Sequence, residues 1–560
     1  MKNRFVFPVV MATVGTCLLV VAAFAGGAAN AAPAAKVKAE ARGGTLRISS
    51  TSDFDFADPS LAYFSHSWQM MNATHLKLLG YPDLEGVAGQ RLRAEGAAGL
   101  PTISADGLTY TIKIRPGFKF SDGTAVTAEN YAFSLNRGLN PKMQSPAQSF
   151  LEDVAGAADV ISGKAAKASG IVVKDKETLV VKLTKVAPDF LARLTMNFFP
   201  AMKTDTPVNP DGIGAPVVSA GPYYLKEWTP KRSAVALRNP YWNNKKEPWK
   251  SLARPANVDT VVWTVGSSPA AIKLQIDKNE IDLGDIPQTA ASELVQKYGL
   301  NKERFFIRKN VVFWYLAMNN EQPLFKGNTK LRQAVNWAID RPQLVRQRGY
   351  LGGARTDQIL PPGMPGYKNW AIYPLEGVNA ASTAKAKSLA AGNERGGKAV
   401  FYTFNVSHGI TVAQVVQFNL KQIGLDVEVK QFERTVQHAK AATRGEPFDI
   451  TYEGWGMDYP DPSNFINVLL DGSRLQAENN VNESYYNDPV FNKRMEEASR
   501  LAGDARLKAY GILDRDIMRD GAPMAPFINT LDRRYISEST GCYNFSPVAG
   551  TPNLVVLCKK

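Results

Sequence analysis

SADGLTYTIKIRPGFKFSDG, residues 104–123, followed after three residues by TAEN at 127–130, decides how this chain is built. Residues 108–115 alternate apolar and polar side chains, the period of a half-buried strand. Pro116-Gly117 ends that strand and Asp122-Gly123 turns the chain again. Thr127 is a good helix N-cap with Asn130 three residues on, and Tyr131, Phe133 and Leu135 help form the apolar side of the helix. A strand, two turns and a capped helix thus follow within thirty-odd residues, the local grammar of a mixed α/β protein.

Working outward, GGTLRI at 43–48 begins the first strand, and residues 171–173 and 179–183 form a hairpin around Lys174-Asp175-Lys176-Glu177. Helices are expected over 270–279 and 331–340, the second stopped by Arg341-Pro342. Residues 400–429 read as strand, helix (411–423) and strand, closed at Gly424. A short strand follows at 448–452, and 488–513 holds one or two polar-faced helices. No fixed-period repeat is present. Such α/β units late in the chain, inserted in another lobe, are the pattern of a hinged cleft protein.

A chain of 560 residues is too long for one core, and 44% hydrophobic with 21% charged residues is the balance of a soluble globular protein. Lys2 and Arg4, an apolar run from Phe5 to about Phe24 and the small residues Ala29 and Ala31 predict a secretory leader cleaved after Ala31. The alternative is an uncleaved anchor, because the run is almost long enough to span a bilayer. Cys17 lies inside the apolar run, not after it, which argues against lipidation. Cys542 and Cys558 remain; in an oxidising compartment they read as a disulfide worth roughly 3 kcal/mol, the alternative being two free thiols. The formal charge of +14 is scattered rather than clustered, so it is read as a surface property and not as nucleic-acid binding.

Catalytic punctuation is missing. There is no Gly-x-Ser-x-Gly elbow, His-Glu-x-x-His pair or Walker loop. The four histidines, His66, His75, His408 and His438, have no metal spacing, and no cofactor or metal is expected. Paired carboxylates of the glycosidase kind meet only in a fold, and nothing here singles out a pair.

Several segments together resemble the family 5 extracellular solute-binding proteins, the peptide- and nickel-type receptors of ABC importers. The strongest likeness is residues 104–123 with 127–130. Others follow in the family's order: Asp58-Pro59, Gly221-Pro222-Tyr223-Tyr224, Arg238-Asn239-Pro240-Tyr241-Trp242, Asn279-Glu280-Ile281-Asp282, Leu316-Ala317-Met318-Asn319-Asn320, GWGMDYPDP at 454–462 and Ala522-Pro523-Met524-Ala525-Pro526. Residues 82–100, 369–395 and the cysteine-closed tail fit only loosely.

The resemblance implies a two-lobed, periplasmic-binding-protein-like α/β fold of type II, with an extra subdomain in lobe one and a hinged cleft. Carried onto this chain, a linker spans 32–42, lobe one spans 43–318 plus 526–560 with its subdomain at about 72–170, and lobe two spans 319–525. It implies a non-catalytic extracytoplasmic receptor, a monomer, that takes an oligopeptide or other small solute to the transmembrane subunits of an ABC permease. In peptide-binding members an aspartate at the position of Asp458 pairs with the ligand's α-amino group; the plainer reading is a turn cap before Tyr459-Pro460. Trp455 is the expected aromatic wall, and Tyr63, Phe64 and Trp68 the expected lining from lobe one, with core packing the alternative for each. Arg355 and Arg434 are read as solvated. Two rivals stand beside this: the same fold binding an oligosaccharide, opine or metal chelate, and a secreted hydrolase. Scarce histidine argues against nickel, and Asp458 favours an amine.

Overall fold

The structure, a computed structural model, describes residues 42–243, 245–248 and 250–560; the expected leader and nearly all of the linker lie outside them. The alternating stretch forms strand Thr109–Lys113, set between Thr102–Ile103 and Thr178–Lys182. Strand Ile171–Asp175 pairs with Thr178–Lys182, so the expected hairpin is present and completes a four-stranded antiparallel sheet. Helix Ala128–Leu139 packs on it through buried Tyr131 and Leu135, and the Thr127 amide donates to Asn130 Oδ1 at 2.8 Å, closing the start of the helix.

The large sheet carries both lobes. One wing orders Asp426–Phe432, Lys398–Phe404 and Ile450–Gly456; the other orders Leu283–Gly284, Thr45–Ser50, Thr260–Val265, Ser233–Arg238 and Tyr223–Thr229. Between them run two long antiparallel strands, Phe305–Met318 and Met524–Ile536. Their pairing shifts register between Lys309 and Phe313. Before the shift, Phe305 packs with Tyr535 and Ile276. Beyond it, alternate residues enter opposite cores: Leu316 and Met318 join Phe401, Val416 and Phe527 on one face, while Phe313, Tyr315 and Ala317 join Phe465, Tyr510 and Met524 on the other.

The unit at 400–429 is a right match to its reading: Lys398–Phe404 and Asp426–Phe432 pair in parallel around helix Ser407–Lys421. The helix starts four residues before the expected 411, with no side-chain cap at its start and Gly409 in its first turn, so no local signal marks where it begins. That glycine is needed: a Cβ there would fall 2.2 Å from the Phe404 carbonyl oxygen. Helix Thr329–Ala338 ends two residues before the expected 340, and Pro342 opens a second helix, Arg341–Arg346, whose Gln343 amide is capped by Asp340 Oδ1 at 2.9 Å. Helices Pro489–Arg500 and Gly503–Asp516 fill the stretch read as one or two helices.

Cys542 and Cys558 form a disulfide, with strands Thr540–Gly541 and Cys558–Lys559 paired beside it. Asp282, fully buried, holds this tail to lobe one through Lys559 Nζ and Ser537 Oγ, and also binds Arg47.

Candidate functional site

A cavity of about 460 Å³ lies between the lobes, within the ~300–1,000 Å³ usual for small-ligand sites. Tyr63, Phe64 and Trp68 line it from lobe one, and Trp455 and Asp458 from lobe two, so the fold brings all five expected residues to one place.

Asp55 shapes the lobe-one wall. Its carboxylate accepts the amides of Tyr63 (2.6 Å) and Phe64 (3.0 Å) and the Ser67 hydroxyl, which fixes the approach to helix Ser65–Thr74. Trp68 Nε1 donates to the Ala62 carbonyl at 2.7 Å, and the Tyr63 ring packs among Trp68, Phe198 and, edge-on at 5.7 Å, Trp455 of lobe two. Sequence reading passed over Asp55; its only signal was a carboxylate eight residues before two aromatics.

On the other wall, strand Ile450–Gly456 places Thr451, Glu453 and Trp455 on one face. Gly454 is required here, since a Cβ would lie 2.6 Å from the ring of Trp314, its partner on the neighbouring strand. Trp455 Nε1 donates to the Asn464 carbonyl at 3.0 Å. Asn464 then brackets Asp458: its Oδ1 accepts the Asp458 amide (2.9 Å) and its Nδ2 donates to Asp458 Oδ2 (2.7 Å). The Tyr63 hydroxyl donates to the same Oδ2 at 2.9 Å. Asp458 Oδ1 accepts no hydrogen bond among the described residues, and burial pushes this carboxyl up to about 7.

Further groups at the cavity escaped the sequence reading. Arg434 is not simply solvated: its guanidinium lies over Trp314 (5.2 Å), Phe404 (5.4 Å) and Phe64 (5.9 Å). Arg348 stacks on Trp314 at 4.1 Å, and Arg533 also lines the cavity. Arg355, by contrast, pairs with exposed Glu376 and is not among the lining residues. Although spacing offered no metal motif, His438, Glu453 and Glu483 bring their ligating atoms within 4.8 Å of one another at the cavity wall. His75 is packed against Thr74 Oγ1 (2.9 Å) and lowered to about 3 by burial; His408, beside Trp314 and Phe404, is lowered to about 2 by the same cause. The disulfide-closed tail also reaches the cavity through residues 547–551.

Residues 92–476 match the model of the bacterial extracellular solute-binding proteins, family 5. The chain is 27% identical over 461 residues to the periplasmic oligopeptide-binding protein OppA of Escherichia coli (strain K12), covering 78% of this chain and 79% of that one. Among solved structures it resembles the clavulanic acid biosynthesis oligopeptide binding protein 2, with a TM-score of 0.80 at 22% identity over 93% and 96% of the two chains. It also resembles the murein tripeptide binding protein MppA of Escherichia coli, with a TM-score of 0.79 at 20% identity over 93% and 99%; against the unliganded open form of MppA the score is 0.63 at 21% identity over 93% and 98%. Two lobes joined by two crossing strands, a cavity between them and a family match over more than half the length agree: this chain belongs to the bacterial extracellular solute-binding proteins of family 5.

Proposed function

We propose that this chain is the extracytoplasmic receptor of an ABC importer, exported by its leader, and that it captures peptides by their free α-amino end and presents the closed form to the permease as a monomer. The observation that carries the reading is Asp458: a buried carboxylate at the interlobe cavity, gripped on Oδ2 from both lobes and open on Oδ1. An ammonium placed at Oδ1 would neutralise a charge that is costly to bury alone, which ties recognition to closure. Arg348, whose Nε is buried without a hydrogen bond, and Arg434 stand on the same wall for an anionic group of the ligand.

The lobes close about the two crossing strands. We place the hinge at the register shift near 310–312 and at the facing residues 529–531, and so move the boundary a few residues from 318 and 526. The packing of Phe313 to Met318 and of Phe527 and Ile528 with lobe two supports this placing. The closer likeness to MppA than to its open form supports a closed arrangement. No reaction is assigned to the site: binding without turnover is the reading for a family of binding proteins.

Titration calorimetry of the mature protein with short peptides and their N-acetylated counterparts tests the proposal. Binding of the free peptides, abolished by acetylation, is the expected result. Equal affinity for both would remove Asp458 from the ligand's amino end, and steady turnover of a peptide or ester panel would move the protein to the hydrolases.

A further inference from the structure

The α-amine reading leaves a cluster of titratable groups on the cleft wall unused. Glu453 stands two residues before Trp455 on the same strand face, Glu483 comes from a loop, and His438 from helix Arg434–Ala441. Glu453 and Glu483 are 8% and 4% exposed, so both carboxyls are removed from bulk water. Glu453 Oε1 is occupied, accepting from Gln437 Nε2 and from Thr451 Oγ1 (2.9 Å). Its Oε2 lies 4.0 Å from His438 Nδ1. Glu483 Oε1 lies 2.9 Å from the same nitrogen but makes no aligned hydrogen bond.

Neither carboxylate is paired with a lysine or arginine among the described residues. Two neighbouring buried carboxyls without a cation hold protons instead of charge: burial first, and for Glu453 also the charge of Glu483, pushes each up to about 8. The groups facing the pair are His438 and Arg434 from the adjacent helix and Tyr315 and Tyr485 from the core behind it, while Asp55 of lobe one acts on His438. Arg434 is committed to the rings of Trp314, Phe404 and Phe64 and makes no ion pair with either glutamate. From lobe one, Phe64 meets the His438 ring edge-on at 5.9 Å, so a group bound here is covered when the lobes meet.

What cation fits is decided by spacing and charge. Donor atoms of a tetrahedral zinc site, with bonds near 2.0–2.1 Å, stand about 3.3 Å apart. The 2.9 Å separation here is shorter than that, and the single positive charge of Arg434 nearby disfavours a doubly charged neighbour. An ammonium or guanidinium offers three to five N–H donors to such oxygens and carries one charge. We propose that Glu453, Glu483 and His438 form a subsite for a protonated nitrogen group, ammonium or guanidinium, on the ligand's side chain. The inference rests on the peptide reading above. Glu453 and Asp458 are five residues apart, at most about 17 Å along an extended chain, so the basic side chain belongs within the first few residues of a peptide held at Asp458.

The test uses the whole mature protein and tripeptides of alanine carrying lysine at the first, second or third position, each against its norleucine isostere, with arginine against citrulline alongside. At pH 8 at least one basic peptide binds about tenfold or more tighter than its isostere, the worth of one charge-assisted contact. Because the cation displaces protons, that ratio falls toward unity at pH 6. In the Glu453→Gln/Glu483→Gln variant the ratio falls within twofold at both pH values. Basic and neutral peptides that bind equally would overturn this subsite and leave the α-amine reading standing. No binding by any peptide would overturn both. Zinc chloride alone raising the melting temperature of the wild type but not of the variant would overturn the subsite in favour of a metal.

Discussion

The Tyr63 hydroxyl donates to Asp458 Oδ2 at 2.9 Å, joining residues 395 positions apart on opposite walls of the cleft. Both residues line the ligand cavity, and burial raises both partners' proton affinity. Tyr63→Phe keeps the ring packing on Trp68 and Trp455 and removes only the donor. Peptide affinity should weaken about ten- to a hundredfold, as a hydrogen bond to a charged group is worth roughly 1.5–3 kcal/mol. Calorimetry that finds no change would mean that the bond does not help to hold the lobes together.

Asp458 predicts a pH dependence of opposite sign for binding and for stability. With its carboxyl near 7 when folded and about 3.9 unfolded, the native state holds the extra proton between those values. The stability it contributes is complete below about pH 4 and is lost as pH rises through 7. Ligand ammonium needs the ionised carboxylate, so affinity should climb from pH 6 to about 7.5, above which the peptide α-amine itself loses its proton. Asp458→Asn abolishes that climb, and its melting temperature, without ligand, should gain on the wild type as pH rises from 5 to 8. Parallel melting curves at all pH values would show that Asp458 is ionised throughout.

Asp58 and Arg137 form a bidentate pair of 2.7 and 2.6 Å with both side chains fully buried, and Arg137 also donates to the Pro207 carbonyl. Removing one partner strands the other's charge. Asp58→Ala should cost about 3–5 kcal/mol by denaturant titration of the mature protein. A cost under 1 kcal/mol would show that Arg137 finds another partner.

The Cys542–Cys558 bridge closes a loop of 16-residue separation whose tip, 547–551, lines the cavity. Its loss should destabilise by roughly 3 kcal/mol in the chain-entropy model. Peptide affinity should fall as well, because the freed tip must be ordered on binding. The double variant Cys542→Ser/Cys558→Ser, measured by melting and by calorimetry, separates the two effects; unchanged affinity would leave the tip as a bystander.

Much of the fold was legible because its signals are local. The alternation at 108–115, the Thr127–Asn130 cap and the hairpin at 171–183 each depend on neighbours within a few residues, and each is found where it was read. The start of the helix at Ser407 is not legible in the sequence because no capping side chain marks it. The crossing strands Phe305–Met318 and Met524–Ile536 were not read at all, since their pairing spans some two hundred residues and leaves no periodic trace near either one.

The site divides in the same way. Asp458, Trp455 and the aromatics at 63–68 could be named from sequence, because they sit in short motifs that resemble a family's. That Asp458 is open on one oxygen, that Asp55 holds Tyr63, and that Glu453, Glu483 and His438 meet are matters of tertiary structure alone. Covalent neighbours set strands, turns and caps through short-range backbone preference. Which charges face one another across a cleft is set by burial and distance between segments far apart along the chain, and no spacing in the sequence records those.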